Sequence, residues 1–220
     1  GILYGAVLAF GQLDLKRLVA YTSVSHLGFV LLGVFAWNTL ALQGALLQMI
    51  AHGISTGALF VVAGLLQERM HTRDLDRMGG LWTAAPRLSG LALFFALASL
   101  GLPGLADFAG EFLVLLGTFQ ASVPAAVFAS LGVVAAAAYS LRFVQRAFQG
   151  PNVHGWKIPD LLPREALLFA PMVVLLVWLG LYPQPVIDMF RPAAERLQQL
   201  TALPANAREA VRPLPGEEAR

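Results

Sequence analysis

The sequence predicts an all-α membrane protein that crosses the bilayer several times. Hydrophobic residues make up 57% of its 220 residues and charged residues only 13%, which is about half the charged share of a soluble domain. The apolar residues come in long runs, as membrane spans require. Helices are the only element expected in these runs, because a chain in lipid must satisfy its backbone internally and no alternating pattern appears.

We expect six membrane passes, of which the fourth is interrupted. The first covers residues 1 to about 12 and is expected to be part of a span whose beginning lies upstream. The other five are predicted at residues 17–37, about 41–66, 88–119, 124–148 and 164–182. Each of these five reaches the roughly 20 residues that cross about 30 Å of hydrocarbon. Residues 1–183 therefore form a membrane region, and residues 184–220 a tail that is expected to be amphipathic at first and disordered after about Leu203.

The connections between the spans are of two kinds. Residues 14–17, 68–87 and 142–164 are charged, whereas residues 38–40 and 120–123 are short and uncharged. With six passes, the two kinds lie on opposite sides of the membrane. Apart from the C-terminal tail, every Lys and Arg lies on the charged side, so the positive-inside rule places that side in the cytoplasm and the tail outside it.

The composition also excludes several kinds of site. The chain has no cysteine, which rules out disulfides, thiol catalysis, iron–sulfur clusters and zinc–thiolate sites. The net charge of +2 gives no reason to expect a nucleic-acid partner. No nucleophile elbow, P-loop or dinucleotide fingerprint is present, and we expect neither a cofactor nor a metal. Haem between two histidines is disfavoured, because their neighbours are hydroxyl and amide side chains rather than a bulky apolar pocket.

His26 is the first ionisable residue inside a span. Such a residue costs about 2.5–3.5 kcal/mol at a helix centre on insertion scales, so it is a functional candidate by default. His26 ends the run TSVSH, in which Thr22 lies one turn earlier on the same face and Ser25 adds a second hydroxyl. A histidine can hold or release a proton near neutral pH. The alternative is a neutral buried histidine that bonds a hydroxyl and only holds helices together.

His52 lies in the middle of the third span and belongs to a polar stripe. Gln48, His52 and Thr56 are four residues apart and share one helix face. A stripe of this kind cannot face lipid, so it must face other helices or water. We favour a water-filled path over a simple hydrogen-bonded helix contact.

Glu111 follows a break in the fourth span. Gly101, Pro103 and Gly104 interrupt the helix, because Pro removes an amide donor and Gly disfavours helix. The freed backbone groups must line a cavity or be covered by protein. A carboxylate beyond such a break is how transporters build ion sites near the midplane. The alternative is a loop between two short helices, with Glu111 at the headgroup level.

Lys16 and Asp14 flank the start of the second span. A charge at such a boundary can reach the headgroups at little cost. Taken alone, both are ordinary charges that help to orient the chain.

Several short motifs carry a resemblance to a known family. They are DLKRLVAYTSVSHLG at residues 14–28, QMIAHG at 48–53, MGGLW at 78–82, GLPG at 101–104 and GEF at 110–112. Together they closely resemble signatures of the antiporter-like membrane subunits of respiratory complex I, NADH-quinone oxidoreductase, over about residues 1–190. Glutamate rather than lysine at position 111, with histidine at 26 and 52, favours the M branch of that family over the L branch.

The resemblance implies a fold of fourteen membrane helices that includes two inverted five-helix repeats. This chain would start in the ninth helix, carry the second repeat in residues 1–150 and the last helix in residues 164–183, and have the twelfth helix as its broken span. The family's first-repeat glutamate–lysine pair and the lysine of its eighth helix would lie upstream. The chain alone is therefore not expected to make a complete proton path.

The resemblance also implies roles and partners. His26, His52 and Glu111 would belong to a proton path, with Lys16 as an associated charge. The chain would lie in the bacterial inner membrane beside other membrane subunits of the complex, and meet NADH and quinone only through the whole complex. Quinone reduction elsewhere would then drive proton pumping through the intramembrane His and Glu residues.

Two other functions stay open on the sequence alone. One is a subunit of a multi-subunit cation/proton antiporter of the Mrp type or of a membrane hydrogenase, since these share the same motifs. The other is a membrane scaffold that transports nothing and serves assembly.

Overall fold

The computed structural model describes residues 1–202, with side chains up to residue 199. Over this range the chain is all helix apart from its connections, with no strand, which confirms the predicted fold class. The helices are α1 Ile2–Phe10, α2 Leu15–Ala36, α3 Thr39–Met70, α4 Leu81–Ala84, α5 Pro86–Ser99, α6 Ala106–Ala121, α7 Val123–Phe148, α8 Pro163–Leu181 and α9 Gln184–Ala202.

Four of the described helices, α2, α3, α7 and α8, are long and apolar enough to cross a membrane. The interrupted fourth pass appears as two shorter helices, α5 with 14 residues and α6 with 16. At 1.5 Å per residue, neither of these reaches across about 30 Å of hydrocarbon alone. The short first pass is α1, with nine residues.

The break between α5 and α6 has a conformation that only glycine adopts cheaply. Gly101 has φ of +80° and Gly104 has φ of +96°, and both values lie in the left-handed region that a Cβ disfavours. Helix α8 covers the break, because a Cβ on Gly180 would collide with the carbonyl oxygen of Gly104 and with the backbone of Leu105. The backbone of Gly104 and Leu105 is thus covered by protein rather than lipid, whereas Leu102 and Pro103 are exposed.

Helix α6 also packs very closely on α3. A Cβ on Gly110 would come 2.8 Å from the Cα of Gln48, and one on Gly117 would come 2.8 Å from the Cα of Ala41. Small residues let membrane helices approach in this way. Because Glu111 follows Gly110 directly, this contact carries its side chain into the centre of the bundle.

The charged connections hold the helix ends together. The Asp14 carboxylate caps α2 by accepting from the amide of Arg17 at 3.1 Å. Asp160 accepts from the amides of Arg87 and Leu88 at the start of α5, at 3.2 and 3.0 Å. Each contact satisfies amide donors that a helix N-terminus leaves free.

Helix α9 begins three residues after the end of α8 and packs against α3. Its apolar side chains Ile187 and Ala194 are buried. The hydroxyl of Thr39 donates to Oε1 of Gln198 at 2.7 Å. The disordered segment predicted after Leu203 lies outside the described residues.

Candidate functional site

His26 lies at the centre of the helix bundle and has a partner on each ring nitrogen. Its side chain is fully buried, and Nδ1 is 2.5 Å from Oε1 of Glu111. On the other side, Nε2 is 2.9 Å from the hydroxyl oxygen of Tyr139 and 3.4 Å from that of Ser99. Side chains from α5, α6 and α7 therefore converge on this one residue of α2.

Glu111 is 3% exposed and lies on α6, two turns beyond the break. Its Oε1 atom contacts His26 and also accepts from Nε2 of Gln48 at 3.2 Å. Its Oε2 atom faces the break, since a Cβ on Gly101 would come 3.4 Å from it. The break thus leaves room beside the carboxyl group, which a side chain at position 101 would reduce.

His52 is the second buried histidine and lies next to the first. The two ring centroids are 5.2 Å apart. The hydroxyl oxygen of Thr56, one turn later on α3, is 3.1 Å from Nδ1 of His52. The polar stripe predicted along α3 therefore faces the centre of the bundle, with Gln48 and Thr56 on either side of His52.

Ser25 reaches this cluster through Tyr139, with which its side chain is in hydrogen-bond contact, whereas Thr22 and Lys16 do not reach it. The hydroxyl of Thr22 donates to the carbonyl of Val19, and that of Ser25 donates to the carbonyl of Ile2, both at 2.8 Å. Lys16 lies ten residues before His26 on α2, about 15 Å along the helix axis. It is half-buried, and it makes no ion pair with any residue in the described range.

Three members of the cluster were not singled out from the sequence. Asp107 is fully buried in the first turn of α6 and accepts from the hydroxyl of Ser55 at 2.9 Å. Its i, i+4 spacing from Glu111 was the available signal. Tyr139 and Ser99 lie 113 and 73 positions from His26, so no local pattern could have joined them to it.

Two polar atoms of the cluster are buried without a hydrogen-bond partner in the described protein: Oε1 of Gln48 and Oδ2 of Asp107. Buried polar atoms are nearly always paired. Two histidines and two carboxyl groups therefore share a pocket in which hydrogen bonding is incomplete. Such a group of neighbouring proton acceptors can pass a proton from one to the next. Within residues 1–202, no set of three or more His, Asp and Glu side chains is placed to hold a metal ion.

Comparison with known proteins gives consistent results. A family model described as "NADH:quinone oxidoreductase/Mrp antiporter, TM" matches residues 1–137. NADH-quinone oxidoreductase subunit M of Pseudomonas aeruginosa is 51% identical over 199 residues, which cover 90% of this chain and 39% of that protein. The subunit M of Escherichia coli strain K12 is 48% identical over 202 residues, covering 90% of this chain and 40% of that protein.

Among solved structures, a chain of respiratory complex I from Thermus thermophilus with bound NADH is similar throughout. It is 41% identical with a TM-score of 0.84, and the match covers 90% of this chain and 42% of that chain. The present chain thus spans about two fifths of the length of the relatives it matches.

Proposed function

The chain belongs to the NADH:quinone oxidoreductase/Mrp antiporter family of membrane proteins, and we propose that it carries one proton-translocating half of an antiporter-like subunit in a bacterial NADH-quinone oxidoreductase. The observation that carries this proposal is the buried contact between His26 and Glu111. The relatives named above are subunits of that enzyme. NADH and quinone would react elsewhere in the complex, and this chain would supply no redox centre.

The His26–Glu111 contact is suited to holding one exchangeable proton. Nδ1 and Oε1 are 2.5 Å apart, so a proton must lie between them, and this proton offsets the charge of a carboxylate that is otherwise shut off from water. A buried charge without this compensation is very unfavourable. Losing or gaining the proton therefore changes the electrostatic energy of the whole pocket.

His52 is the next proton acceptor on the proposed path. Its ring centroid lies 5.2 Å from that of His26, and both ring nitrogens of His26 face other partners, so the proton can pass only when one of those contacts opens. We propose that a proton moves along the line Glu111, His26 and His52 when the surroundings of Glu111 change. Gln48 and Thr56 orient the two ends of this line through their hydrogen bonds.

The break between α5 and α6 would transmit a movement elsewhere in the protein to Glu111. Discontinuous helices are where transporters place their ion sites, and Gly101 and Gly104, with their positive φ, form the break here. A small shift of α6 relative to α2 would lengthen the His26–Glu111 contact. We assign Lys16 a longer-range role. Its charge, at the N-terminal end of α2, shifts the energy of a proton on His26 or Glu111 without direct contact.

We also propose an orientation and partners for the chain. The charged connections would lie in the cytoplasm and α9 in the periplasm, because Lys and Arg in short connections favour the cytoplasmic side. Other membrane subunits of the complex would contact the chain within the lipid bilayer. Its residues up to 150 would form the second repeat and α8 the last membrane helix.

The proposed function is tested by Glu111→Gln in the assembled, full-length complex. This change keeps the shape and the hydrogen bonding of the side chain but removes the exchangeable proton. The rate of proton translocation should fall about 10²-fold or more, as expected when a proton-transfer group is lost, and through coupling the rate of NADH oxidation should fall with it. Glu111→Asp should keep part of the activity.

Glu68→Gln is a matched control, because Glu68 is exposed at the end of α3 and the same change there should have no effect. If the Glu111→Gln complex assembles and translocates protons like the parent, the proton path does not use this carboxyl group. The chain would then be better described as a membrane scaffold.

A further inference from the structure

Asp107 is a second carboxyl group in the pocket, and the path proposed above gives it no part. It lies one turn before Glu111 on the same face of α6 and is fully buried. Charged side chains are almost never buried to this extent without a partner of opposite charge. Within the described residues, no Lys or Arg contacts Asp107.

The hydrogen bonds of Asp107 satisfy only one of its two oxygens. Oδ1 accepts from the hydroxyl of Ser55 at 2.9 Å, whereas Oδ2 is buried without a partner in the described protein. Burying a charged oxygen in this way costs far more than burying a neutral hydroxyl. The geometry therefore suits a carboxyl group that carries a proton when Glu111 is ionised.

Asp107 and Glu111 lie so close together that we expect only one of them to be ionised at a time. At i, i+4 on one helix, their Cβ atoms are about 5–6 Å apart, and two carboxylates so close disfavour ionising together. Ser55, which holds Asp107, lies three residues after His52 on α3. Its hydroxyl is also 3.4 Å from the carbonyl oxygen of His52, so Asp107 and His52 are held by the same turn of α3.

We propose that Asp107 is a second proton-holding carboxyl group of this site, which reloads Glu111 after Glu111 has given up its proton. In this step the O–H bond of Asp107 breaks and an O–H bond of Glu111 forms. The negative charge moves from Glu111 to Asp107, and the net charge of the pocket stays the same. The proposal rests on the proposed function, since it assigns Asp107 to the same proton path.

A purely structural role for Asp107 makes a different prediction. An acidic residue in the first turn of a helix interacts favourably with the helix dipole, and Asp107 could serve α6 in this way alone. Asp107→Asn keeps the size of the side chain and an oxygen that accepts from Ser55, but it cannot carry an exchangeable proton. The substitution thus separates proton binding from hydrogen bonding.

The test uses the assembled, full-length complex in proteoliposomes. We expect Asp107→Asn to assemble like the parent and to translocate protons about 10²-fold more slowly, the lower range for a lost proton-transfer group. Infrared difference spectra between the resting and the working complex should show the carbonyl band of a protonated carboxylic acid, and this band should be missing in Asp107→Asn. Asp107→Glu should restore part of the translocation and shift the band.

Parallel measurements on Glu111→Gln distinguish the possible failures. If Asp107→Asn translocates normally while Glu111→Gln does not, Asp107 is structural and the proposed function stands. If both translocate normally, the proposed function fails as well. If Asp107→Asn does not assemble, Asp107→Glu decides the question, because a carboxylic-acid band that is the same as in the parent would overturn the proposal.

Discussion

Glu111 and Glu165 are both buried carboxyl groups that contact a base on another helix, but the two bases differ. Glu111 is paired with His26 at 2.5 Å in the centre of the bundle. In Glu165, in the first turn of α8, both carboxylate oxygens accept from Nη2 of Arg69 near the end of α3, at 2.6 and 2.7 Å. One pair can release its proton and the other cannot, because arginine stays charged.

The other contacts of the two pairs support the same distinction between a fixed charge and one that can change. Glu165 also accepts from the amide of Leu162 at 2.9 Å, so its charge is held by fixed donors. Glu111 lies beside a glycine break and near a second histidine. The comparison indicates that the Arg69–Glu165 pair fixes α8 to the bundle, whereas the His26–Glu111 pair is arranged so that its protonation state can change.

The largest effect on stability is expected from breaking the fixed pair. Glu165→Gln leaves the Arg69 guanidinium buried without a counter-charge, which typically costs about 3–5 kcal/mol. The thermal stability of the purified complex, or the amount of it that assembles, should fall accordingly. Replacing both partners with Arg69→Met and Glu165→Leu should recover most of the loss, because a well-packed apolar pair can substitute for a buried ion pair. Equal losses in the single and double variants would mean that the charge pair itself is not what Glu165 supplies.

A smaller loss of stability is expected when α8 is pushed away from the break between α5 and α6. In Gly180→Ala, the new methyl group meets the backbone of Gly104 and Leu105, and such overpacking costs about 1–3 kcal/mol. Because the break positions Glu111, proton translocation should also fall, although the Arg69–Glu165 pair is intact. Gly64→Ala is the matched control, since a Cβ on Gly64 meets no atom within 4 Å. If both variants translocate protons normally, α8 does not position the break.

Removing one hydrogen bond from His26 should have a milder effect. Tyr139→Phe deletes the hydroxyl that lies 2.9 Å from Nε2 of His26, and a single hydrogen bond contributes about 1 kcal/mol. Translocation should fall in part while the complex still assembles. Tyr4→Phe, at an exposed position on α1, should change neither property. A Tyr139→Phe complex that translocates at the parental rate would remove Tyr139 from the proton path.

The smallest change in stability is expected from substituting Asp160, which lies in the connection before α8. Partial burial acts to raise the pKa of Asp160, but hydrogen bonds from the amides of Leu88, Leu161 and Arg87 hold it below the ordinary value of 3.8. A lowered pKa means that the ionised form stabilises the fold above that ordinary value, and that this contribution is lost as the pH falls below it. Asp160→Ala should cost about 1 kcal/mol at neutral pH, as for a lost helix cap.

The stability difference between Asp160→Ala and the parent, measured by thermal unfolding, should shrink as the pH is lowered towards 3.8 and beyond. A difference that stays constant over this range would show that the charge of Asp160 does not contribute.

The parts of the site that depend on local sequence were predictable. The break followed from the properties of Gly101, Pro103 and Gly104, and the polar face of α3 followed from the spacing of Gln48, His52 and Thr56. Assigning His26, His52 and Glu111 to one path depended on the family resemblance. Residue patterns alone could not show that His26 and Glu111, 85 positions apart, are in contact.

The missed residues show why the rest could not be predicted. Tyr139 and Ser99 lie in apolar helices whose rotation about their axes is set by packing, and a period of 3.6 residues does not fix which neighbour a side chain meets. Asp107 lies so close to the break that the sequence does not show whether it is buried. Thr22 shares a face with His26 but bonds the carbonyl of Val19 instead, as hydroxyls in helices often do.

The central claim is that proton translocation needs a base at position 26 that can release its proton. The Arg69–Glu165 pair, in contrast, serves only to hold α3 and α8 together. The direct test measures the rate of proton translocation during NADH oxidation for His26→Gln and Arg69→Gln, each normalised to the amount of assembled complex. Both variants replace a basic side chain with an amide that still forms hydrogen bonds. We predict that His26→Gln loses translocation in the complexes that assemble, and that Arg69→Gln assembles poorly but translocates like the parent once assembled. Normal translocation in His26→Gln would contradict this account.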